Sequence, residues 1–286
     1  IAVAEAARNL VCVGARPRAV TNNLNFGNPL KPEVYYQLKE AVAGMGEACL
    51  KFDTPVTGGN VSLYNENPRG AIYPTPVIGM VGVLDDVSKH LGAAFREAGD
   101  AIVLLGDNTG ELGGSEYLKV IHGKVAGDAP AIDLDAEKAL QEAMLELADA
   151  ELVRSAHDCA EGGLAVCLAE SAIADDEEPR GIDVTLEDDL AVAPLLFGEA
   201  QGRIVVSCAA ERVEEVLAVA ERHGVPARRI GTVDEVDGTF SIATAAGPGI
   251  ELPAARVAEA YYAAIPGVMD GSAATVEVDV EHPAMP

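Results

Sequence analysis

Residues 11–66 read VCVGARPRAVTNNLNFGNPLKPEVYYQLKEAVAGMGEACLKFDTPVTGGNVSLYNE, and this stretch decides the fold. An apolar segment at residues 19–20 predicts a strand that runs into an asparagine-rich loop, TNNLNFGNP, at residues 21–29. A proline followed by a glutamate then favours the start of a helix at residues 33–50. After this helix, a second strand is predicted to break into a double-glycine turn within TGGNVS, residues 57–62. The order strand, helix, strand predicts mixed α and β structure.

The flanking sequence extends the same alternation. Residues 1–13 have the apolar spacing of a helix that ends at Gly14, and residues 75–86 predict a buried strand closed by acidic residues. Further on, AGDAIVLLG predicts the strand that opens a second unit, and residues 135–149 predict a long amphipathic helix. We therefore expect an α+β protein with an A-type domain at residues 1–95, a B-type domain at residues 96–267 and a tail at residues 268–286.

The composition excludes several classes of protein. Among 286 residues, 46 are acidic and 20 are basic, and a surface with a net charge of −26 repels the phosphate backbone of nucleic acid. No apolar run approaches the roughly 18–20 residues that cross a bilayer, so we expect no membrane partner. Five scattered cysteines fit small core residues in a reducing cytoplasm better than disulfides or a zinc site. The acidic excess, with few lysines, predicts a salt-loving source organism.

The first residues contain neither an initiator methionine nor the basic region of a signal peptide. They already have the apolar spacing of a helix. We therefore expect the chain to begin inside a longer one.

Two segments are richer in small and amide residues than a core requires, namely residues 21–29 and 57–62. Glycine lets a backbone approach a ligand, and Asn and Ser offer neutral donors and acceptors to a metal or a sugar phosphate. The alternative is a simple turn, which double glycine after a strand more often marks. In SAHDCAEGGLA, His157 and Asp158 precede a glycine pair and a predicted helix start, a setting suited to Mg²⁺ and anions. The alternative there is that Asp158 only caps the helix.

Several familiar motifs are absent from the sequence. It contains no G-x-x-x-x-G-K-[ST] phosphate loop and no G-x-G-x-x-G dinucleotide fingerprint. It also contains no G-x-S-x-G nucleophile elbow and no H-E-x-x-H zinc pattern. Any nucleotide site must therefore be of another kind, and a hydrolase is not favoured.

Taken together, these segments resemble one family. Residues 11–66 are followed by IYPTPVIGMVGVLDD, GDAIVLLG, ELGGSEYL, AHDCAEGGLAVCLAESAI and LFGEAQGRIVVS. This ordered set closely resembles the second half of the large synthetase subunit of phosphoribosylformylglycinamidine synthase. The resemblance covers about residues 1–267.

The resemblance implies two tandem copies of an A-plus-B unit, of which this chain is the second. The sheet of the A domain would be completed by its twin copy, and the B domain would have a mixed sheet packed with helices. The implied reaction is the ATP-dependent, Mg²⁺-assisted conversion of formylglycinamide ribonucleotide and glutamine-derived ammonia to the amidine in purine biosynthesis. The implied partners are the missing N-terminal half, a glutaminase subunit and a small accessory subunit. Without its twin, we expect the chain to pair with itself and to be inactive alone.

Carried over position by position, the resemblance places ATP against Asn22 and the backbone of Gly59, Mg²⁺ against Asn60 and the substrate against Ser62. Relatives commonly carry Asp at the position of Asn22, so this chain lacks a carboxylate there. The catalytic histidine is expected in the missing copy, and no catalytic residue is assigned here. By internal pseudosymmetry, Asp158 is expected to line an auxiliary nucleotide or metal site.

Two alternatives stay open. Aminoimidazole ribonucleotide synthetase and selenophosphate synthetase share the A-plus-B architecture and the ATP chemistry, although TNNLNFGNP and GGNVSLYNE argue against both. The chain is also consistent with a docking half that has no catalytic role and completes the twin sheet. A docking half predicts no nucleotide binding by the chain alone.

Overall fold

The structure, a computed structural model, describes residues 1–271. Helices and mixed sheets make up an α+β protein, as predicted. Most of the predicted tail, residues 268–286, lies outside the described residues.

The first part of the chain forms a three-stranded sheet with two long helices on one face. In this sheet β1 lies in the centre, parallel to β2 and antiparallel to β5. Between β2 and β5 in the sequence, β3 and β4 pair in antiparallel and form a short hairpin. The elements are α1 (Ala2–Cys12), β1 (Arg16–Asn25), α2 (Pro32–Phe52), β2 (Val56–Ser62), β3 (Glu66–Asn67), β4 (Gly70–Ala71) and β5 (Thr75–Val83).

The second part of the chain forms a seven-stranded mixed sheet in the order β12-β11-β8-β10-β6-β9-β7. Neighbouring strands are antiparallel except for the parallel pair β8 and β11. The strands are β6 (Ala101–Leu105), β7 (Ser155–Asp158), β8 (Arg180–Leu186), β9 (Ile204–Cys208), β10 (Ala227–Val236), β11 (Thr239–Thr244) and β12 (Gly247–Pro253). The helices are α3 (Glu116–His122), α4 (Leu134–Asp149), α5 (Gly163–Ile173), α6 (Val192–Phe197), α7 (Val213–Arg222), α8 (Ala254–Tyr262) and α9 (Ala264–Asp270).

Helices cover both faces of the larger sheet, and this explains why β6, an interior strand between β10 and β9, is completely buried. Alternate residues of a strand point to opposite faces. Val103 and Leu105 accordingly join a core with α4 and α7, while Ile102 and Leu104 join a core with α5 and α6. The five predicted core cysteines are all buried and free.

Helix α1 is shared between the two sheets. Near its start, Val3 and Ala4 belong to the core of the smaller sheet with α2. At its end, Val11 and Cys12 belong to the core under α4. The helix therefore joins the two parts of the protein through its own side chains.

Two segments predicted as loops are strands instead. Residues 21–25 continue β1 and residues 57–62 lie in β2, because the two segments pair with each other in parallel. This pairing overrides the turn preference of Gly and Asn, since strand preference depends strongly on tertiary context. The predicted burial of β5 is also wrong. Val77 is 49% and Val81 is 61% exposed, because no part of the described chain covers the sheet face that points away from the helices.

Replacing Leu105 by Ala should reduce the free energy of unfolding by about 2–5 kcal/mol, because the removed methyl groups leave a cavity in a fully buried strand. Leu30→Ala is the matched control, since Leu30 is 80% exposed and should change stability by less than about 0.5 kcal/mol. Urea unfolding monitored by circular dichroism measures both. Equal effects of the two substitutions would contradict the position of β6 in the core.

Candidate functional site

The parallel pairing of β1 and β2 brings the predicted site residues together. In this ladder Asn22 lies opposite Gly59, Asn23 opposite Asn60, and Asn25 opposite Ser62. Strand β2 is an edge strand and is exposed along most of its length. Of the four residues assigned to ATP, Mg²⁺ and substrate, Gly59, Asn60 and Ser62 therefore lie on the accessible edge strand, and Asn22 lies beside them on the adjoining central strand.

The alternation along β1 divides these residues between the two faces of the sheet. Val20 and Leu24 are buried on the helix side, so Asn22 shares their face, whereas Asn23 and Asn25 lie on the uncovered face. On that face, the Asn60 amide nitrogen Nδ2 donates to Asn23 Oδ1 at 3.1 Å. The Asn60 amide oxygen is then the atom that a hard cation would contact.

Gly59 lies so close to Asn22 that a side chain at this position would collide with it. A Cβ built on Gly59 would lie 2.4 Å from the Asn22 backbone oxygen and 2.2 Å from its side-chain oxygen. A Cβ built on the neighbouring Gly58 would have no atom within 4 Å other than those of its own and the adjoining residues. Only the second glycine of the pair is therefore required by the contact between the two strands.

Asn65 is a site residue that the sequence did not single out. Its Nδ2 donates to Phe26 O at 3.1 Å and to Ser62 O at 3.0 Å, while the Ser62 hydroxyl donates to Asn65 Oδ1 at 3.2 Å. Asn65 thus ties the ends of β1 and β2 together and orients Ser62. The local indication was an asparagine in the short connection after β2, a position at which its side chain often bonds to nearby backbone.

His157 and Asp158 lie at the end of β7, away from the β1–β2 edge. His157 Nε2 lies 2.9 Å from Glu170 Oε2, and His157 Nδ1 lies 3.7 Å from Asp158 Oδ1. Burial by itself lowers the pKa of His157, but the Asp158 and Glu170 carboxylates raise the pKa to about 9. The histidine is therefore positively charged at neutral pH and bound within the chain.

Asp158 is buried and does not cap α5. The N-cap residue of that helix is Gly162, which has no side-chain capping bond. Besides His157, the Asp158 carboxylate has a second cationic neighbour, Arg8, whose Nε lies 3.8 Å from Asp158 Oδ2. Arg8 also reaches Glu137 on α4, a contact between residues 129 positions apart that no sequence pattern indicated.

Within residues 1–271, no group of three or more His, Cys, Asp or Glu side chains is arranged to hold a metal ion. No helix in the same range is long and apolar enough to cross a membrane. The described His, Cys, Asp and Glu side chains therefore form no complete metal site at the β1–β2 edge.

Comparisons with known proteins agree with this architecture. Residues 1–84 match the family described as AIR synthase related protein, N-terminal domain, and residues 97–243 match AIR synthase related protein, C-terminal domain. Phosphoribosylformylglycinamidine synthase subunit PurL of Moorella thermoacetica is 57% identical over 231 residues, which are 81% of this chain and 31% of that protein. The same subunit of Chlorobium chlorochromatii is 50% identical over 273 residues, 93% of this chain and 36% of that protein.

Solved structures show the same fold. T. maritima PurL complexed with FGAR superimposes with a TM-score of 0.70 at 20% identity, over 90% of this chain and 43% of that one. T. maritima PurL complexed with ATP gives a TM-score of 0.67 at 21% identity, over 90% of this chain and 40% of that one. This chain spans about a third of the length of the curated relatives it matches. Because the C-terminal family match alone extends over residues 97–243 and the N-terminal match precedes it, the chain belongs to the AIR synthase related protein family.

Proposed function

We propose that this chain is part of an ATP-dependent carbon–nitrogen ligase that converts formylglycinamide ribonucleotide and glutamine-derived ammonia to formylglycinamidine ribonucleotide in purine biosynthesis. The observation that carries the proposal is the 50–57% identity to PurL subunits over most of the chain. The contacts among the β1–β2 site residues support it, because residues with proposed roles toward three ligands are neighbours in one strand pair.

At this edge, ATP would lie against Asn22 and the backbone of Gly59, and Ser62 would contact the substrate. Asn22 offers a neutral amide that can bond to a nucleotide hydroxyl or amine. The absence of a side chain at Gly59 lets its backbone lie close to Asn22, so that one ligand could contact both residues. Ser62, oriented by Asn65, can donate to a phosphate or an amide.

This chain would contribute one neutral ligand to Mg²⁺, the amide oxygen of Asn60, and a carbonyl-type oxygen is a ligand that this cation accepts. Bound Mg²⁺ would neutralise charge on the transferred phosphoryl group. Asn23 fixes the orientation of the Asn60 amide through its hydrogen bond. The remaining ligands and the catalytic histidine would come from the missing N-terminal half, so the chain would be inactive alone.

The uncovered face of the smaller sheet supports assembly with a second sheet. Val77 and Val81 are exposed on the same face as Asn23 and Asn60. In the natural protein we propose that the N-terminal half covers this face, and in the isolated chain a second copy does. A glutaminase subunit and a small accessory subunit would deliver ammonia in a cytoplasmic, salt-adapted enzyme.

We also propose that the A-type domain ends at residue 95 and that the B-type domain begins at residue 96.

Activity of the full-length natural protein tests the reaction. With Mg-ATP and ammonia, ADP should form with formylglycinamide ribonucleotide and not with its amidine product. Asn60→Ala should raise the Mg²⁺ concentration for half-maximal rate by at least about tenfold, because it removes a ligand. Asn67→Ala, in the exposed β3–β4 hairpin, is the control. Activity with the amidine only would instead favour the cyclising synthetase, and nucleotide-independent assembly without any turnover would favour a docking half.

Gly59→Ala should weaken ATP binding and reduce the free energy of unfolding by about 1–3 kcal/mol, because the new methyl group meets the Asn22 backbone oxygen. Gly58→Ala is the matched control and should change both quantities little, since open space surrounds that position. The KM for ATP in the full-length enzyme and urea unfolding of the chain measure the two effects. If both alanines behave alike, Gly59 has no special contact with Asn22.

Val81→Asp should weaken self-association of the isolated chain by about tenfold or more, because it places a charge on the uncovered sheet face. Leu50→Asp introduces the same charge at an 86% exposed position on α2 and should leave association unchanged. Sedimentation equilibrium at high salt measures both. A monomeric parent chain, or equal effects of the two substitutions, would contradict pairing through this face.

A further inference from the structure

A buried cluster of charged and amide side chains connects α1 to the larger sheet. We define the α1 cluster as Arg8, Glu137, Asp158 and Gln201. The Arg8 side chain is 1% exposed, and the carboxylates of Glu137 and Asp158 are 2% and 3% exposed. One guanidinium therefore meets carboxylates from α4 and β7 in the interior of the protein.

The contacts of Arg8 define the geometry of the cluster. Its Nη1 donates to Glu137 Oε1 at 2.5 Å, and its Nη2 donates to Gln201 Oε1 at 2.9 Å. Its Nε lies 3.8 Å from Asp158 Oδ2, and neither of these two atoms has a hydrogen-bond partner. The guanidinium thus lies between the two buried carboxylates.

Asp158 is placed where a strand, a glycine turn and a helix start would suit a cation and an anion together. The anion position at this turn is also filled by the chain itself. Glu199 Oε1 accepts a hydrogen bond from the Gly162 backbone N–H at 2.8 Å and another from the Glu116 N–H at 2.8 Å. Backbone N–H groups at the start of a helix have no partner within the helix, and a phosphate oxygen could accept their hydrogen bonds if Glu199 did not.

We propose that the strand-end site at Asp158 is closed by the protein's own charged groups, with the Arg8 guanidinium in the position of a metal ion and the Glu199 carboxylate in the position of a phosphate. The site then holds neither a metal nor a nucleotide, in contrast to the auxiliary role expected for Asp158. Its task is to fix α1, and with it the smaller sheet, against the larger one.

The donor set at this site does not fit a divalent cation while Arg8 is present. Glu137 Oε2 and Asp158 Oδ2 are buried and have no hydrogen-bond partner, which alone would favour a cation. However, a guanidinium keeps its positive charge in proteins and cannot be deprotonated to make room. A divalent ion between the same carboxylates would lie in contact with this fixed charge and would be repelled in a medium of low dielectric constant.

The first experiment exchanges the internal cation for an added one. Arg8→Met should lower the Tm of the chain by about 10 °C, because the buried Glu137 carboxylate loses its charged partner and the buried Asp158 carboxylate keeps only His157. Added MgCl2, compared with KCl of equal ionic strength, should raise the Tm of this variant by about 5 °C and leave that of the parent unchanged.

Arg16→Met is the matched control. Arg16 also connects the first part of the chain to α4, through Glu142, but both side chains are more than two-fifths exposed. Its loss should change the Tm little and create no response to Mg²⁺. Equal effects of the two substitutions, or an Arg8→Met variant that does not respond to Mg²⁺, would overturn the proposal.

A second variant covers the case in which Arg8→Met does not fold. Adding Glu137→Gln and Asp158→Asn to it removes both buried negative charges, keeps similar shapes and leaves His157 paired with Glu170. This triple variant should fold without Mg²⁺ and be indifferent to it. A triple variant no more stable than Arg8→Met would show that charge compensation is not the role of Arg8.

The anion position is tested with inorganic phosphate as the probe. Glu199→Ala should free the Gly162 and Glu116 N–H groups, so that phosphate raises the Tm of this variant more than that of the parent. Glu199→Gln keeps an oxygen acceptor and should behave like the parent. The proposal would be overturned by equal phosphate responses of the parent and Glu199→Ala, or by saturable ADP or Mg²⁺ binding to the parent that Asp158→Asn abolishes.

Discussion

The parallel hydrogen-bond ladder between β1 and β2 is the constraint on which the rest of the smaller sheet depends. A parallel pair requires a crossover connection, and the 21-residue helix α2 provides it and packs on the sheet. The ladder also fixes the register, which brings Asn60 against Asn23 across 37 positions of sequence. The same ladder requires a glycine at position 59, because a side chain there would collide with the Asn22 backbone.

Arg8 imposes a second constraint, on the relation between the two sheets. Buried ion pairs add little net stability, because the cost of removing charges from water offsets their attraction. Loss of one partner is nevertheless costly, at about 3–5 kcal/mol, since it leaves an uncompensated buried charge. A charged residue in the middle of a helix whose two ends belong to two cores therefore specifies one orientation of that helix more than it stabilises the fold.

Local patterns predicted the helices and the apolar strands well. The helix predicted at residues 33–50 is Pro32–Phe52, and the one predicted at residues 135–149 is Leu134–Asp149. The strand state of residues 57–62 was missed because glycine and asparagine indicate turns locally, while the pairing that decides their structure is formed with a distant segment. The contact of Arg8 with Glu137 was missed for the same reason, since no periodic pattern relates residues so far apart.

The uncovered face of the smaller sheet links assembly to chemistry. Asn60 and Asn23 lie on that face, beside the exposed side chains of Val77 and Val81. The phosphoryl transfer that we propose needs a site from which water is excluded, both to protect reactive intermediates and to strengthen electrostatic contacts. An edge strand that is exposed along its length cannot exclude water by itself. In the proposed enzyme, whatever covers the apolar part of this face would also close the site, so that the pairing of sheets and the formation of the ligand site would be one requirement.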